Sequence, residues 1–128
     1  MLYVLDTHVL VWYFTGNARL SPEERNLIDE VRRQGGRLLV PTIVLAEALN
    51  IAVKGRVVFD FQRLYQLVRD ESEFEIVEFG IEVFDETLRV SAVPEIHDRI
   101  IVATARFFGA DLLTKDGVIR SSGEVGVA

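Results

Sequence analysis

Four acidic residues stand in or beside strongly apolar segments of this chain, where carboxylates are uncommon: Asp6, Glu47, Asp98 and Asp116. A carboxylate that is buried without a partner is costly, and it is relieved by binding a proton or a cation. If the four side chains meet in the fold, their oxygen atoms suit a hard divalent cation such as Mg²⁺ or Mn²⁺. The pattern therefore predicts a metal site and, with it, metal-assisted phosphoryl chemistry.

Each acid taken alone also has a simpler structural explanation. Asp6 could cap the helix that follows it, and Asp98 could complement the first turn of another helix; such roles contribute about 0.5 to 2 kcal/mol. Asp116 precedes Gly117 and could form a turn. Glu47 is harder to explain in this way, because it is the only ionisable residue between positions 41 and 53. The structural explanation needs four unrelated causes, whereas a shared site needs one.

The remaining metal-binding residue types are scarce. The only histidines, His8 and His97, each lie next to one of the acids in sequence, and an isolated histidine is more often structural or solvated than a ligand. The chain has no cysteine, which excludes a disulfide framework, a thiolate zinc site and a cysteine nucleophile. The composition therefore favours an all-oxygen site.

The overall composition indicates a globular protein. With 128 residues, of which 49% are hydrophobic, the sequence predicts a single domain spanning residues 1–128. No apolar segment has the length of a membrane span and no basic region precedes the first apolar run, so we expect a cytoplasmic protein. The net charge of −6 argues against a broad electrostatic surface for nucleic acid.

Short apolar runs alternate with segments of helical spacing along the whole chain. The runs predict strands at residues 2–6, 38–40, 75–79 and 111–114, with a brief fifth strand at 125–127. Helices are predicted between them, at residues 7–14, 21–34, 42–52, 58–69, 81–93, 98–108 and 116–120. The second of these begins with a capping box, in which Ser21 is followed three residues later by Glu24.

This alternation predicts the α/β class, with a three-layer α/β/α domain around a mostly parallel five-stranded sheet. The third strand alternates like an edge strand, which favours the strand order 3-2-1-4-5. Ligands bind such sheets at the carboxyl ends of the strands, where the order reverses, and here that point lies between strands one and four. All four acids are predicted at or near this edge, so we expect them to share one crevice.

The segments that carry the acids are similar, in order and spacing, to those of PIN-domain ribonucleases, and more narrowly to VapC-type toxins of toxin–antitoxin pairs. They comprise residues 4–10, 41–47, 97–105 and 113–116. The resemblance covers nearly the whole chain and implies a PIN-like fold with Mg²⁺-dependent endoribonuclease activity, Mn²⁺ being a possible substitute. It also implies a homodimer that a cognate antitoxin silences.

The resemblance assigns roles to individual residues. It makes the four acids the catalytic metal ligands, and Glu47 binds the metal directly, binds it through water, or orients the attacking water. Two threonines beside the acids, Thr7 and Thr114, would hold carboxylate oxygens in place by hydrogen bonds. Apart from the resemblance, Lys115 and Arg99 lie next to acids in sequence and are candidates to contact the RNA backbone near the point of cleavage, although a solvated face or a surface ion pair also explains either of them.

Other basic and aromatic residues give weaker signals. Lys54 and Arg56 are further candidates for phosphate contacts, although a solvated face or a surface ion pair explains either of them. Trp12, Tyr13 and Phe14 are consecutive, so no single helix face can bury all three. Partial burial in the core and an exposed patch for a partner both remain open for these aromatics.

Competing functions also remain open. A receiver domain or a haloacid-dehalogenase-like phosphatase also places an aspartate after the first strand and binds Mg²⁺. Against the phosphatase, His8 stands where a second aspartate would be expected, and against the receiver, no acidic pair lies beside strand one. A third alternative is a PIN-like module that binds RNA or protein without cleavage, and the complete set of four acids argues against it.

Overall fold

The computed structural model describes all 128 residues and contains four β-strands and seven α-helices. The strands are β1 (Leu2–Leu5), β2 (Arg37–Pro41), β3 (Phe74–Val77) and β4 (Asp111–Leu113). The helices are α1 (Thr7–Thr15), α2 (Pro22–Arg33), α3 (Thr42–Lys54), α4 (Phe61–Asp70), α5 (Ile81–Thr87), α6 (Ile96–Phe108) and α7 (Gly117–Ser122). None of these helices combines the length and the apolar character needed to cross a membrane.

The four strands form one parallel sheet in the order β3-β2-β1-β4. This confirms the predicted order over four strands, with β3 at one edge and β1 beside β4. The helices complete a three-layer α/β/α arrangement, as predicted. Leu5 lies opposite Leu113 in the register, so β1 and β4 end side by side and the residues that follow them are neighbours.

The predicted fifth strand is the main difference between expectation and structure. Residues 125–127 form only an isolated parallel bridge, between Leu112 and Val127. The Leu112 N–H donates to the Gly126 carbonyl oxygen at 2.8 Å, and the Ala128 N–H donates to the Leu112 carbonyl oxygen at 3.2 Å. Because β4 itself has three residues and Gly126 lies in the middle of the last segment, only one bridge forms and no strand develops.

The helix predicted at 81–93 is also shorter in the structure, where α5 ends at Thr87. The backbone N–H groups of Ser91 and Ala92 donate to the carboxylate of Glu124, at 3.1 and 3.0 Å. These amides are therefore satisfied outside a helix, and Pro94 follows two residues later. A distant side chain, which the local sequence cannot reveal, accounts for this difference.

The hydrophobic core fixes the central strands. Val4 and Leu5 of β1 and Leu112 of β4 are fully buried, as is Ile101 of α6. Burial of a side chain of this size contributes about 1.5 to 3 kcal/mol. The strand ends beyond these residues are therefore held rigidly, and this rigidity positions the polar side chains at that edge.

Helix α2 begins with the predicted capping box. The Ser21 hydroxyl accepts from the Glu24 N–H at 3.2 Å, and the Glu24 carboxylate accepts from the Ser21 N–H at 3.0 Å. The same carboxylate lies 3.0 Å from the ammonium group of Lys115, which belongs to the loop after β4. The cap therefore also ties α2 to the carboxyl end of the sheet.

Removal of the cap in Ser21→Ala is expected to lower the free energy of unfolding by about 1 kcal/mol, because one partly buried amide at the start of α2 loses its acceptor. Urea denaturation followed by circular dichroism measures this difference. Ser72→Ala, at an exposed turn, is the matched control and should change stability by less than about 0.5 kcal/mol. Equal stability of the two variants would show that the cap contributes nothing.

Candidate active site

Asp6 follows β1 directly and caps α1. One carboxylate oxygen, Oδ1, accepts from the Thr7 N–H at 2.7 Å, and the other, Oδ2, accepts from the Thr114 hydroxyl. The residue is only 8% exposed, and this burial raises the pKa of Asp6 although both hydrogen bonds oppose the rise. Asp6 is thus a helix cap, as the structural explanation proposed, and also a carboxylate fixed in place among apolar residues.

Thr114 connects two of the four acids. Its hydroxyl donates to Asp6 and accepts from the Asp116 N–H at 3.0 Å. The register of the sheet explains this contact, because Thr114 follows Leu113, the partner of the residue before Asp6. Asp116 in turn caps α7 by accepting from the Ile119 N–H at 3.0 Å. Hydrogen bonds therefore support the predicted holding role of Thr114.

Glu47 lies in the middle of α3, and its side chain is 31% exposed. The Thr7 hydroxyl donates to its Oε1 atom at 2.6 Å. Thr7 is thus bonded through its N–H to Asp6 and through its hydroxyl to Glu47. The two threonines give the cluster a fixed frame from which Asp6, Glu47 and Asp116 extend.

Asp98 lies in the first turn of α6, a helix that Glu95 caps by accepting from the Asp98 N–H at 2.8 Å. Partial burial, followed by the negative charges of Asp6, Asp116, Glu95 and Glu47, raises the pKa of Asp98 to about 7. The contribution of these charges requires that the other carboxylates lie close enough to repel Asp98. The four predicted acids therefore share one electrostatic environment.

All four acids line a single cleft of about 720 Å³ at the carboxyl ends of β1 and β4. Its walls come from α1, α3 and the first turn of α6, and both histidines line it. The ring nitrogen Nδ1 of His97 lies 3.1 Å from Glu95 and 3.8 Å from Glu47. Sequence reasoning had placed the crevice at this position between strands one and four.

Several residues of the cleft were not expected from the sequence. Glu95 could have been recognised as a helix cap three residues before Asp98, but the helix was predicted to begin at Asp98 itself. Arg19 and Asn50 also line the cleft. No local sequence pattern marks these two, because only the packing of α1 against α3 brings them to the cleft.

The basic residues predicted to contact RNA are placed differently from one another. Lys115 lines the cleft, where it pairs with Glu24, and Arg56 lines it as well. Arg99 is not among the lining residues, and its Nε atom donates to the Val93 carbonyl oxygen at 2.9 Å. Its contact with RNA stays a prediction.

The three consecutive aromatics are half-buried against the core, and Trp12 also lines the cleft.

The donor types of this cleft fit a hard divalent cation. Its acids provide only oxygen ligands, and the raised pKa of Asp98 reflects negative charge that a cation would neutralise. No three acidic or histidine side chains are arranged in the structure as a formed metal site. The residue types and their electrostatics thus support metal binding, while coordination requires the carboxylates to draw together around the ion.

Comparisons with known proteins agree with this fold. The sequence matches the PIN domain over residues 3–123, and the chain therefore belongs to the PIN domain family. No curated protein has a sequence that matches this chain. The family membership confirms the predicted PIN domain and sets aside the receiver and phosphatase alternatives.

Solved structures share the fold at low sequence identity. VapBC2 from Rickettsia felis, bound to a DNA fragment from its promoter, has a TM-score of 0.78 at 17% identity, covering 100% of this chain and 98% of that chain. FitAcB from Neisseria gonorrhoeae has a TM-score of 0.67 at 17% identity, covering 98% and 95%. A toxin–antitoxin complex from Klebsiella pneumoniae has a TM-score of 0.66 at 19% identity, covering 96% and 94%.

Proposed function

We propose that this protein is a Mg²⁺-dependent endoribonuclease that acts as the toxin of a toxin–antitoxin pair. One observation carries the proposal: the acids Asp6, Glu47, Asp98 and Asp116 line one cleft, where partial burial and then the charges of neighbouring carboxylates raise the pKa of Asp98 to about 7. An arrangement that repels its own charges is stabilised by a cation, and clustered carboxylates with Mg²⁺ serve phosphoryl chemistry. Membership of the PIN domain family supports a nuclease.

In this proposal each polar residue has a defined task. Asp6, Asp98 and Asp116 hold the cation directly, and Glu47 holds it directly or orients the attacking water. When bound, Mg²⁺, or Mn²⁺ in its place, polarises the scissile phosphate and lowers the pKa of a bound water. Thr114 and Thr7 keep the carboxylate oxygens of Asp6 and Glu47 in orientation, as their hydrogen bonds indicate.

Binding of Mg²⁺ is expected to weaken about tenfold between pH 8 and pH 6, because Asp98, with its pKa of about 7, must lose a proton to bind the ion. Isothermal titration calorimetry at the two pH values measures this change and the accompanying proton release. Asp98→Asn should remove most of the binding, whereas Asp85→Asn, on the exposed surface of α5, should leave it unchanged. Binding of equal strength at both pH values would contradict the assignment.

The assembly proposals rest on the similar structures. The Klebsiella pneumoniae structure is a toxin–antitoxin complex, which supports a cognate antitoxin for this chain. We further propose that residues 1–128 form one PIN-like nuclease domain that acts as a cytoplasmic homodimer on RNA. The free cations of the cleft, Arg19 and Arg56, provide local positive charge in a chain of net charge −6.

The test of the function is cleavage of a mixed RNA pool and of a single-stranded DNA pool by the purified protein, with Mg²⁺ and with EDTA. The proposal predicts that only RNA is cut and only with metal. Equal cutting of DNA would contradict specificity for RNA and would favour a less selective nuclease. Binding of Mg²⁺ and RNA without cutting would favour the alternative of a PIN-like binding module.

A further inference from the structure

Part of the cleft wall consists of side chains that the proposed chemistry does not use. On α1, His8 and Trp12 lie one turn apart with ring centroids 5.4 Å from each other. On α3, Asn50 lies one turn beyond the acid of that helix, and its side chain makes no hydrogen bond. Arg19 and Arg56 follow the ends of the same two helices. All five residues line the cleft.

Helical geometry places these side chains at a distance from the acids that suits a neighbouring nucleotide. With a rise of about 1.5 Å per residue, Trp12 lies roughly 9 Å beyond Asp6 along α1, and Asn50 lies roughly 4.5 Å beyond Glu47 along α3. Successive nucleotides of a strand are spaced by about 3.4 Å in a helix, and by more when the strand is extended. A strand with one phosphate at the acids would therefore place the next nucleotides against this wall.

The two arginines are free to bind an anion. Arg19 and Arg56 are exposed, and neither guanidinium group forms an ion pair or a hydrogen bond. Lys115, which also lines the cleft, is paired with Glu24. A free guanidinium group binds phosphate through two parallel hydrogen bonds. These two arginines can therefore bind a phosphate of the strand that lies away from the acids.

The position of Trp12 is explained better by its aromatic face than by packing alone. Its indole N–H is the only buried side-chain polar atom of the chain without a hydrogen-bond partner. Burial of an unpaired donor destabilises a fold, and a phenylalanine would fill much of the same space without that cost. A large aromatic ring on the wall of a cleft, beside the ring of His8, is a surface on which an unpaired base can stack.

We propose that this wall recognises a base of single-stranded RNA next to the scissile phosphate. The base stacks on Trp12 beside the tilted ring of His8, its edge lies within reach of the Asn50 amide, and the phosphates beyond it are bound by Arg19 and Arg56. Bases within a duplex do not expose their faces, so the wall selects unpaired RNA. This inference rests on the proposed nuclease function and assigns the residues that determine its specificity.

The fluorescence of Trp12 tests the stacking directly, because it is the only tryptophan of the chain. A single-stranded RNA of twelve nucleotides and a blunt duplex of the same sequence are titrated into the protein in EDTA, where no metal-dependent cleavage occurs. The inference predicts saturable quenching by the single strand and little quenching by the duplex. Equal quenching by both, or none by either, would overturn it.

Variants of the wall test the individual contacts by fluorescence anisotropy of a labelled strand. Trp12→Phe keeps an aromatic face and should bind within about threefold of the wild type, whereas Trp12→Leu should bind about tenfold more weakly or worse. Tyr65→Leu removes an aromatic ring that does not line the cleft and serves as the control. Wild-type binding by Trp12→Leu would overturn the assignment.

The salt dependence of binding tests the two arginines. Loss of one phosphate contact from a single strand makes the slope of log K against log salt about 0.7 less negative, so Arg19→Gln and Arg56→Gln should each show this change. Arg63→Gln, an exposed arginine outside the cleft, should show none. Wild-type slopes in both cleft variants would overturn the phosphate contacts.

These measurements separate the inference from the proposed function. A protein that cuts RNA in Mg²⁺ but shows no quenching in EDTA would overturn the base site alone. Quenching by the single strand without any cleavage of RNA would support the base site and contradict the proposed nuclease function.

Discussion

Replacement of Asp98 by asparagine is expected to lower the rate of RNA cleavage by more than about 100-fold. Loss of a residue that only orients a metal ligand through a hydrogen bond lowers activity by about 10- to 100-fold, and loss of the ligand itself should lower it further. The same variant should melt at a higher temperature than the wild type at pH 8 in EDTA. The two effects have one cause, because the charge that makes Asp98 useful to a cation is partly buried, and repelled by its neighbours, when no cation is bound.

The sign of the stability effect follows from the raised pKa of Asp98, which is about 7 in the folded protein against an ordinary value of 3.8. Below about pH 4 the group is protonated in both the folded and the unfolded chain, and its contribution to stability is fully present. That contribution is lost as the pH rises from about 4 to 7, because the unfolded chain ionises first. Asparagine at position 98 avoids this loss.

The expected gain for Asp98→Asn at pH 8 is about 1 kcal/mol, because solvent screens a side chain that is only partly buried. This corresponds to about 4 °C in melting temperature for a chain of this size. At pH 4 the difference between variant and wild type should vanish, and Asp85→Asn should show no pH-dependent gain. A variant less stable than the wild type at pH 8 would contradict a destabilising charge at Asp98.

Thr114→Val is the substitution with the next largest expected effect. Valine has the same shape but no hydroxyl, so the buried Asp6 carboxylate loses a donor and the Asp116 N–H loses an acceptor. We expect a loss of about 1 to 3 kcal/mol in stability from these unsatisfied groups. Cleavage should fall by about 10- to 100-fold, because the orientation of Asp6 is no longer fixed.

Two matched variants show whether the effect is specific to this hydroxyl. Thr114→Ser keeps the hydroxyl and should retain most of the stability and the activity. Thr104→Val removes another buried hydroxyl, which donates only to the carbonyl oxygen of Ile100 within its own helix at 2.7 Å. It should cost less than about 1 kcal/mol and leave cleavage unchanged. Equal losses of stability and cleavage in Thr104→Val and Thr114→Val would show that the Thr114 hydroxyl has no specific role in orienting Asp6.

Much of the fold could be predicted because local signals agreed with the global pattern. The capping box at Ser21 started α2 where expected, and the run before Asp6 formed a buried strand. The edge-like alternation of the third strand gave the correct strand order. Since parallel strands end at the same edge of a sheet, this order was sufficient to bring Asp6 and Asp116 to one cleft.

The parts that were not predicted depend on contacts between distant residues. The carboxylate of Glu124 binds the backbone after α5 and ends that helix earlier than its apolar spacing suggested. The last segment has too short a partner in β4 to form a strand. Arg19 and Asn50 reach the cleft only through the packing of two helices. Such features can be recognised only from the tertiary structure. Two of them, Arg19 and Asn50, belong to the wall that is proposed to determine specificity.

The most direct test of the account is the location of a Mn²⁺ ion by anomalous diffraction from crystals grown at pH 8, where Asp98 is ionised. The account predicts an anomalous peak in the cleft with carboxylate oxygens of Asp6, Asp98 and Asp116 as its ligands, at about 2.0 to 2.6 Å. Crystals of Asp98→Asn should lack this peak. A peak bound by other residues, or none in the wild-type cleft at millimolar Mn²⁺, would contradict the assignment of these acids as a metal centre.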